Sequence, residues 1–386
     1  MKRFLVPLAL ILGSVLVALA AFEVLLRAVG YSAPIWYRPD PQLGWTLRPG
    51  VTAWFTKEGR ALVHVNAAGR RDRDTPLDKP EDVYRIAVLG DSYSEAMQVA
   101  REEAYWALLP ERLAACGFQP GKRIEVLNFG VSGYGTAQEY VMLESNAIRY
   151  RPDLVLLQFT NGNDVKDNSF ALEEEKYRPF YMLGPDGRLR MDESFASEPG
   201  FRRSLSLPME LMRRASDRSR VLQLVRDFRR GRLMPTARAS DDQGVEQGLE
   251  PVVLRAPRDP LWEEAWTITE GLIAQTADYA RRNGARFMLV TVPYAIQVHP
   301  DRKLREALQA KLGVEHLFYP DRRLAEFGKR NGVPVLPLAP EMQRLAEERS
   351  LHFHGFKNSG PGRGHWNPEG HRAAAELIAQ RLCNEK

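Results

Sequence analysis

Five short apolar runs rich in β-branched residues, separated by stretches with helical spacing, restrict the fold of this chain more than any other feature. They cover residues 85–89, 124–129, 154–159, 286–292 and 333–338. Four of them carry the near-continuous apolar character of a strand buried on both faces. Between the third and fourth comparable runs lies a helical pattern: Trp262, Trp266, Thr269, Ile273, Thr276 and Ala280 recur every three or four residues and end at Asn283-Gly284, a good C-cap. The last pattern opens with Asn367 as N-cap and Pro368 at the first helical position, and carries a stripe of Ala374, Leu377, Ile378 and Leu382. Strands alternating with helices predict a three-layer α/β/α sandwich around a central five-stranded parallel sheet. In such sheets functional residues collect beyond the carboxyl ends of the strands.

The amino terminus obeys another rule. Lys2 and Arg3 precede nineteen uncharged residues, 4–22. As a helix that run reaches about 28 Å, close to the roughly 30 Å of bilayer hydrocarbon. The basic flank keeps this end in the cytoplasm and sends the rest of the chain across. Ala18-Leu19-Ala20 resembles a signal-peptidase site, but the apolar run exceeds a signal core and its pattern continues through Val24, Leu25, Leu26 and Val29. The expectation is a single-pass inner-membrane anchor, residues 1–30, with the remainder on the periplasmic or extracytoplasmic side. Residues 31–80, rich in Pro, Trp and Gly, read as an irregular or β lead-in, with an alternating run at Leu62-Val63-His64-Val65-Asn66. The main domain is expected over 81–386.

One long piece, about 166–260, departs from the alternation. It begins with a hairpin-like Tyr181-Met182-Leu183-Gly184-Pro185-Asp186-Gly187 and continues into basic helix: residues 201–238 hold eleven arginines against three acids. It reads as an insertion that is either a solvated helical face or a contact with anionic headgroups or an acidic polymer. The net charge of +5 is modest for 386 residues and gives no reason to expect a nucleic-acid partner. Cys116 and Cys383 lie near the ends of predicted helices; one bridge in an oxidising compartment and two small buried apolar residues are both open. No Cys/His spacing calls for a metal, and no cofactor is expected.

The chemistry-bearing segments stand at consecutive strand ends. The first strand runs into Gly90-Asp91-Ser92-Tyr93-Ser94, which places the Ser92 hydroxyl at a strand-to-helix turn where N–H groups favour negative charge. The second ends in Asn128-Phe129-Gly130-Val131-Ser132-Gly133-Tyr134-Gly135, where a glycine lets a backbone N–H approach an oxyanion. The third ends in Thr160-Asn161-Gly162-Asn163-Asp164, offering an amide donor. Far along the chain, Gly364-His365-Trp366-Asn367 sets His365 just ahead of the closing helix, and an imidazole with an ordinary pKa near 6.5 suits proton transfer at neutral pH.

These four segments, in this order, resemble the conserved blocks of the SGNH/GDSL hydrolase superfamily, over roughly residues 85–382. The resemblance implies a flavodoxin-like sheet, Ser92 as nucleophile, His365 as general base, and an oxyanion hole formed by the N–H of Ser92, the N–H of Gly133 and the amide of Asn163. The family usually places an aspartate two or three residues before the histidine. Here those positions hold Gly362 and Arg363. Either a backbone carbonyl of residues 359–364 or a carboxylate from another segment orients His365, or activity is low. The remaining histidines fit packing better: His371 falls on the apolar stripe, and His352 and His354 flank Phe353. The expected function is an esterase acting through an acyl-enzyme on an ester-bearing substrate, an envelope or exported polysaccharide by location. The alternatives are a polysaccharide O-acyltransferase and a carbohydrate-binding module that has kept the fold.

Overall fold

A computed structural model describes residues 2–233 and 250–385 of the chain. The apolar helix Lys2–Ala28 comes first, and its segment Val6–Ala28 is long and apolar enough to cross a membrane. Two antiparallel hairpins follow. β1 (Tyr37–Asp40) pairs with β2 (Gly44–Leu47), and β3 (Thr52–Phe55) with β4 (Ala61–His64). They pack around a small core of Leu47, Ala61, Val63, Val65 and Met97. Then come β5 (Val83–Leu89), β6 (Arg123–Asn128) and β7 (Leu154–Thr160), a third hairpin of β8 (Phe180–Leu183) and β9 (Leu189–Asp192), and finally β10 (Arg286–Val292) and β11 (Val335–Pro337).

The central sheet has the order β11-β10-β7-β5-β6, every pair parallel. β5 and β7 are buried over all seven of their residues, which is why they read as largely apolar runs, interrupted by Arg85 and Gln158, rather than as alternation. Alternate side chains feed two cores. Ala87, Leu89, Val155 and Leu157 meet the helices Thr136–Ser145, Pro260–Arg282 and Tyr319–Asn331 on one face. Ile86, Val88, Leu154 and Leu156 meet Tyr105–Ala115, Ala339–Arg349 and Pro368–Asn384 on the other. The three-layer sandwich is therefore present, with the strand order of the flavodoxin type. The order reverses beside β5, so the chain leaves β5 and β7 in opposite lateral directions and opens a crevice at their carboxyl ends.

One local expectation is corrected and another gains detail. The run 333–338 gives a strand of only three residues at the sheet edge. Pro334 and Pro337 lie within that run, and a proline cannot donate to a ladder. The strand-to-helix turn after β5 opens a helix of one turn only: Ser92–Glu95 is closed by Ala96 at φ +53°, and the next full helix starts at Tyr105. A macrodipole of one turn is small, so the local N–H groups at this turn, rather than a helix field, are what favour negative charge there.

The polypeptide between β7 and β10 carries the β8–β9 hairpin and the helices Pro199–Ser204, Leu207–Arg218 and Arg220–Leu233; none of its described residues joins the central sheet. The last part of the arginine-rich stretch, residues 234–238, lies outside the described residues. Cys116, at the end of the helix Tyr105–Ala115, forms a disulfide with Cys383 in the closing helix.

Candidate active site

Ser92 follows Asp91, which caps the one-turn helix by accepting the Tyr93 N–H at 2.9 Å. Gly90, on the other side, cannot be larger: a Cβ there would lie 2.3 Å from Gln158 Oε1 and 2.5 Å from Ser94 Oγ. The cap and the close packing fix the turn, and Ser92 itself remains part-exposed between buried Asp91 and Tyr93.

His365 reaches Ser92 from the loop ahead of the closing helix, with Nε2 2.8 Å from Oγ. Its other nitrogen, Nδ1, lies 2.5 Å from Oε2 of Glu58, and the second oxygen of that carboxylate accepts the His365 backbone N–H at 2.8 Å. With the proton on Nδ1 the ring donates to Glu58, and Nε2 is left to accept from the Ser92 hydroxyl. The expectation of a carboxylate from another segment is met, and the carbonyls of residues 359–364 are not needed for it.

Glu58 sits in the loop between β3 and β4, far from His365 in sequence, and that loop is held in place on both sides. Asn358 accepts the Gly59 N–H at 2.9 Å and donates to the carbonyls of Thr56 and Gly59 at 3.1 and 3.0 Å. Gly364 makes room for the carboxylate: it lies at φ +73°, and a Cβ there would stand 1.9 Å from Glu58 Oε1. Tyr93 packs its ring against His365, centroids 5.2 Å apart, and against the buried Trp366.

Gly133 lies in the turn after β6 at φ +78° and is exposed, while Val131 and Tyr134 around it are buried. The turn is braced from outside the sheet. Trp45 of β2 donates Nε1–H to the Ser132 carbonyl at 3.0 Å, and Arg178 donates to the Gly133 carbonyl. Because C=O and N–H of one trans peptide point in opposite directions, the Gly133 N–H faces away from Trp45. No acceptor among the described residues takes the N–H of Ser92 or of Gly133.

Asn163 stands immediately before the short helix Asp164–Asp167, without a side-chain capping hydrogen bond. Its amide donates to Asp167 Oδ2 at 2.9 Å and, more weakly, to Asp91 Oδ2 at 3.4 Å. Behind it lie the buried carboxyls of Asp91, Glu139, Asp164 and Asp167, and burial raises the pKa of each. Among the described residues no group of three His, Cys, Asp or Glu side chains is placed to hold a metal ion. The structure thus brings Ser92 and His365 into contact and sets Gly133 and Asn163 at the ends of the flanking strands. Sequence reasoning did not name Glu58, Trp45 or Arg178. His371 is buried, with Nδ1 accepting the Tyr105 N–H, and His354 and Trp366 are buried against Tyr93.

No family model matches this chain, and no curated protein does. Among solved structures, the chain overlaps a catalytic mutant of an acetylxylan esterase from Geobacillus stearothermophilus at 12% identity and a TM-score of 0.39, over 79% of this chain and 96% of that one. It overlaps an α/β hydrolase from a Lake Arreo metagenome at 14% identity and a TM-score of 0.38, over 78% and 94%. A lipolytic protein of the G-D-S-L family from Desulfitobacterium hafniense overlaps at 10% identity and 0.34, over 77% and 98%. At these scores the overlap is partial, and the fold rests on the strand order and register given above.

Proposed function

We propose that this chain is an SGNH-type serine esterase. The observation that carries the proposal is the unbroken path from Ser92 Oγ to His365 Nε2 at 2.8 Å, and from His365 Nδ1 to Glu58 at 2.5 Å. Ser92 Oγ attacks the ester carbonyl carbon while its proton passes to Nε2. The new imidazolium is stabilised by Glu58, which also holds the ring in the tautomer that attack requires. The oxyanion takes hydrogen bonds from the N–H groups of Ser92 and Gly133 and from the Asn163 amide, which exchanges its 3.4 Å contact with Asp91 for the better acceptor. When the tetrahedral adduct collapses, the C–O bond to the alcohol breaks and His365 returns the proton to the leaving oxygen. Water then repeats the sequence on the acyl-enzyme, releasing the acid and restoring Ser92.

The binding-module alternative was motivated by an absent orienting acid, and Glu58 removes that motive. Transfer to a second hydroxyl shares every step up to the acyl-enzyme and differs only in the acceptor. We take the acyl bearer to be an extracytoplasmic polysaccharide. The apolar helix Val6–Ala28 and the Cys116–Cys383 disulfide support a domain held on the oxidising side of a membrane.

The test is fluorophosphonate labelling of the full-length chain in detergent. One adduct per chain at Ser92, absent in Ser92→Ala, is expected. Labelling that persists in that variant at another serine, or no labelling of the folded wild type, overturns the proposal.

A further inference from the structure

We propose that the paired helices Leu207–Arg218 and Arg220–Leu233 form an interfacial pad that lies on an anionic phospholipid surface beside the apolar N-terminal helix. The inference rests on the membrane reading of that helix and is independent of the esterase reading.

Three observations converge on this hairpin. The first is exposed apolar surface: Leu207, Leu211, Met212, Leu222, Val225 and Phe228 are between 43% and 69% exposed. Soluble surfaces seldom concentrate large apolar side chains in this way, and a contiguous patch rimmed by polar residues marks a contact. Part of the patch folds into a groove of about 600 Å³ between the two helices and the segment ahead of β1, walled by Ile35, Met209, Met212, Leu222 and Val225.

Charge is the second. Arg202, Arg203, Arg214, Arg218 and Arg229 are exposed on the same stretch, and Arg213, Arg226 and Arg229 rim the groove. Apolar side chains interleaved with arginines suit the boundary between acyl chains and anionic headgroups, where the guanidinium stems lie in the apolar zone and the heads meet phosphate.

Position is the third, and it selects a bilayer over another protein. The turn between the helices grips the apolar helix at Glu23: the N–H groups of Arg220 and Val221 donate to its carboxylate at 2.9 and 3.0 Å, and Ser219 Oγ does so at 3.1 Å. Arg27, one turn on, donates to the Arg218 carbonyl. Glu23 is the first charged residue after the uncharged run 4–22. The turn is therefore fixed where the apolar helix leaves the hydrocarbon, and the exposed apolar residues lie on both sides of it, the nearest after it being Leu222, three residues beyond Ser219. The pad is continuous with the surface that the membrane already covers.

The experiment uses the full-length chain in nanodiscs of phosphatidylcholine and phosphatidylglycerol, with the native disulfide intact. Leu211→Cys and Phe228→Cys are labelled with the environment-sensitive fluorophore NBD, with Val15→Cys as a control inside the apolar helix and Gln380→Cys as a control on the closing helix. Doxyl-labelled lipid is expected to quench positions 211, 228 and 15 several-fold and to leave 380 unchanged. In phosphatidylcholine alone, or with Arg203, Arg214 and Arg229 changed to Gln, quenching at 211 and 228 should fall while that at 15 persists. Quenching at 15 without quenching at 211 and 228 overturns the pad. Blue-shifted but unquenched labels there would mean that a protein, such as a second copy, covers the patch. Absence of quenching at 15 overturns the pad together with the anchor, and quenching indifferent to lipid charge overturns the anionic part of the proposal.

Discussion

Glu58 holds His365 with both carboxylate oxygens, one on the ring Nδ1 at 2.5 Å and one on the backbone N–H at 2.8 Å. A single hydrogen bond would fix the tautomer and leave the ring free to swing about it. The second bond ties the carboxylate to the histidine's own backbone, so ring and acid move as one unit. Glu58 comes from the β3–β4 loop, which brings that hairpin into the candidate site.

Glu58→Gln should therefore lower kcat on a p-nitrophenyl ester by about 10³- to 10⁴-fold, because the amide permits the wrong tautomer and cannot stabilise an imidazolium. The change removes one charge from a loop still fixed by Asn358, so the unfolding midpoint should move little. A kcat loss below tenfold would mean that Ser92 and His365 act as a self-sufficient dyad.

What the sequence disclosed, and what it withheld, follows from how local each signal is. β5 and β7 were legible because burial on both faces leaves a largely apolar run, and Ser92, Gly133 and Asn163 because each stands just after such a run. Pro368 and Asn367 announced the closing helix through capping chemistry that acts over three residues. Glu58 had no such signal. Lys57-Glu58-Gly59-Arg60 looks like any solvated turn, and its meaning depends on a contact with Gly364 that only the folded chain creates. The one-turn helix at Ser92–Glu95 escaped for a related reason: Ala96 takes a left-handed conformation that nothing in its residue type announces.

Arg178 is expected to act on catalysis without touching substrate. Its side chain is buried, lies 4.9 Å over the Trp45 ring, and donates to the carbonyls of Asp167 and Gly133. Arg178→Met keeps the length and removes the donors, freeing the Gly133 turn. Misplacing a donor by about 1 Å costs on the order of 10²-fold, so kcat and the rate of fluorophosphonate labelling should fall together while KM changes little. An unchanged labelling rate would remove Arg178 from this role.

The disulfide should matter in proportion to the chain it closes. Cys116 and Cys383 are separated by 267 residues, so the bridge closes a loop in the unfolded state that holds four of the five strands of the central sheet. Cys383→Ser is expected to lower stability by about 2–5 kcal/mol, read as a lower denaturant midpoint of the full-length protein in detergent. Mild reductant should reproduce the shift in wild type and leave the variant unaffected. Equal midpoints for wild type with and without reductant, when the thiols are shown to be free, would contradict this.

The last prediction concerns pH. His371 is buried, accepts the Tyr105 N–H at Nδ1, and stacks against the Tyr105 ring. Burial, reinforced by the positive charge of Arg71, brings its pKa down to about 3. Unfolded, the same imidazole titrates near 6.5. Above that value both states are neutral and pH has no effect through this group. Below it the unfolded chain binds a proton that the folded chain refuses, so stability falls as the pH drops from about 6.5 toward 3. The expected slope for one such group is about 1.4 kcal/mol per pH unit. His354, also held down to about 3 by burial, adds a like contribution, as do the buried carboxyls with the opposite sign, and all of these cancel when wild type is compared with a variant at each pH. His371→Gln keeps an acceptor for the Tyr105 N–H and cannot titrate. The stability of wild type minus that of His371→Gln should be constant above about pH 7 and decline steadily as the solution is acidified from pH 6 to 4. A difference that stays flat across that range would mean that His371 takes up its proton in the folded protein.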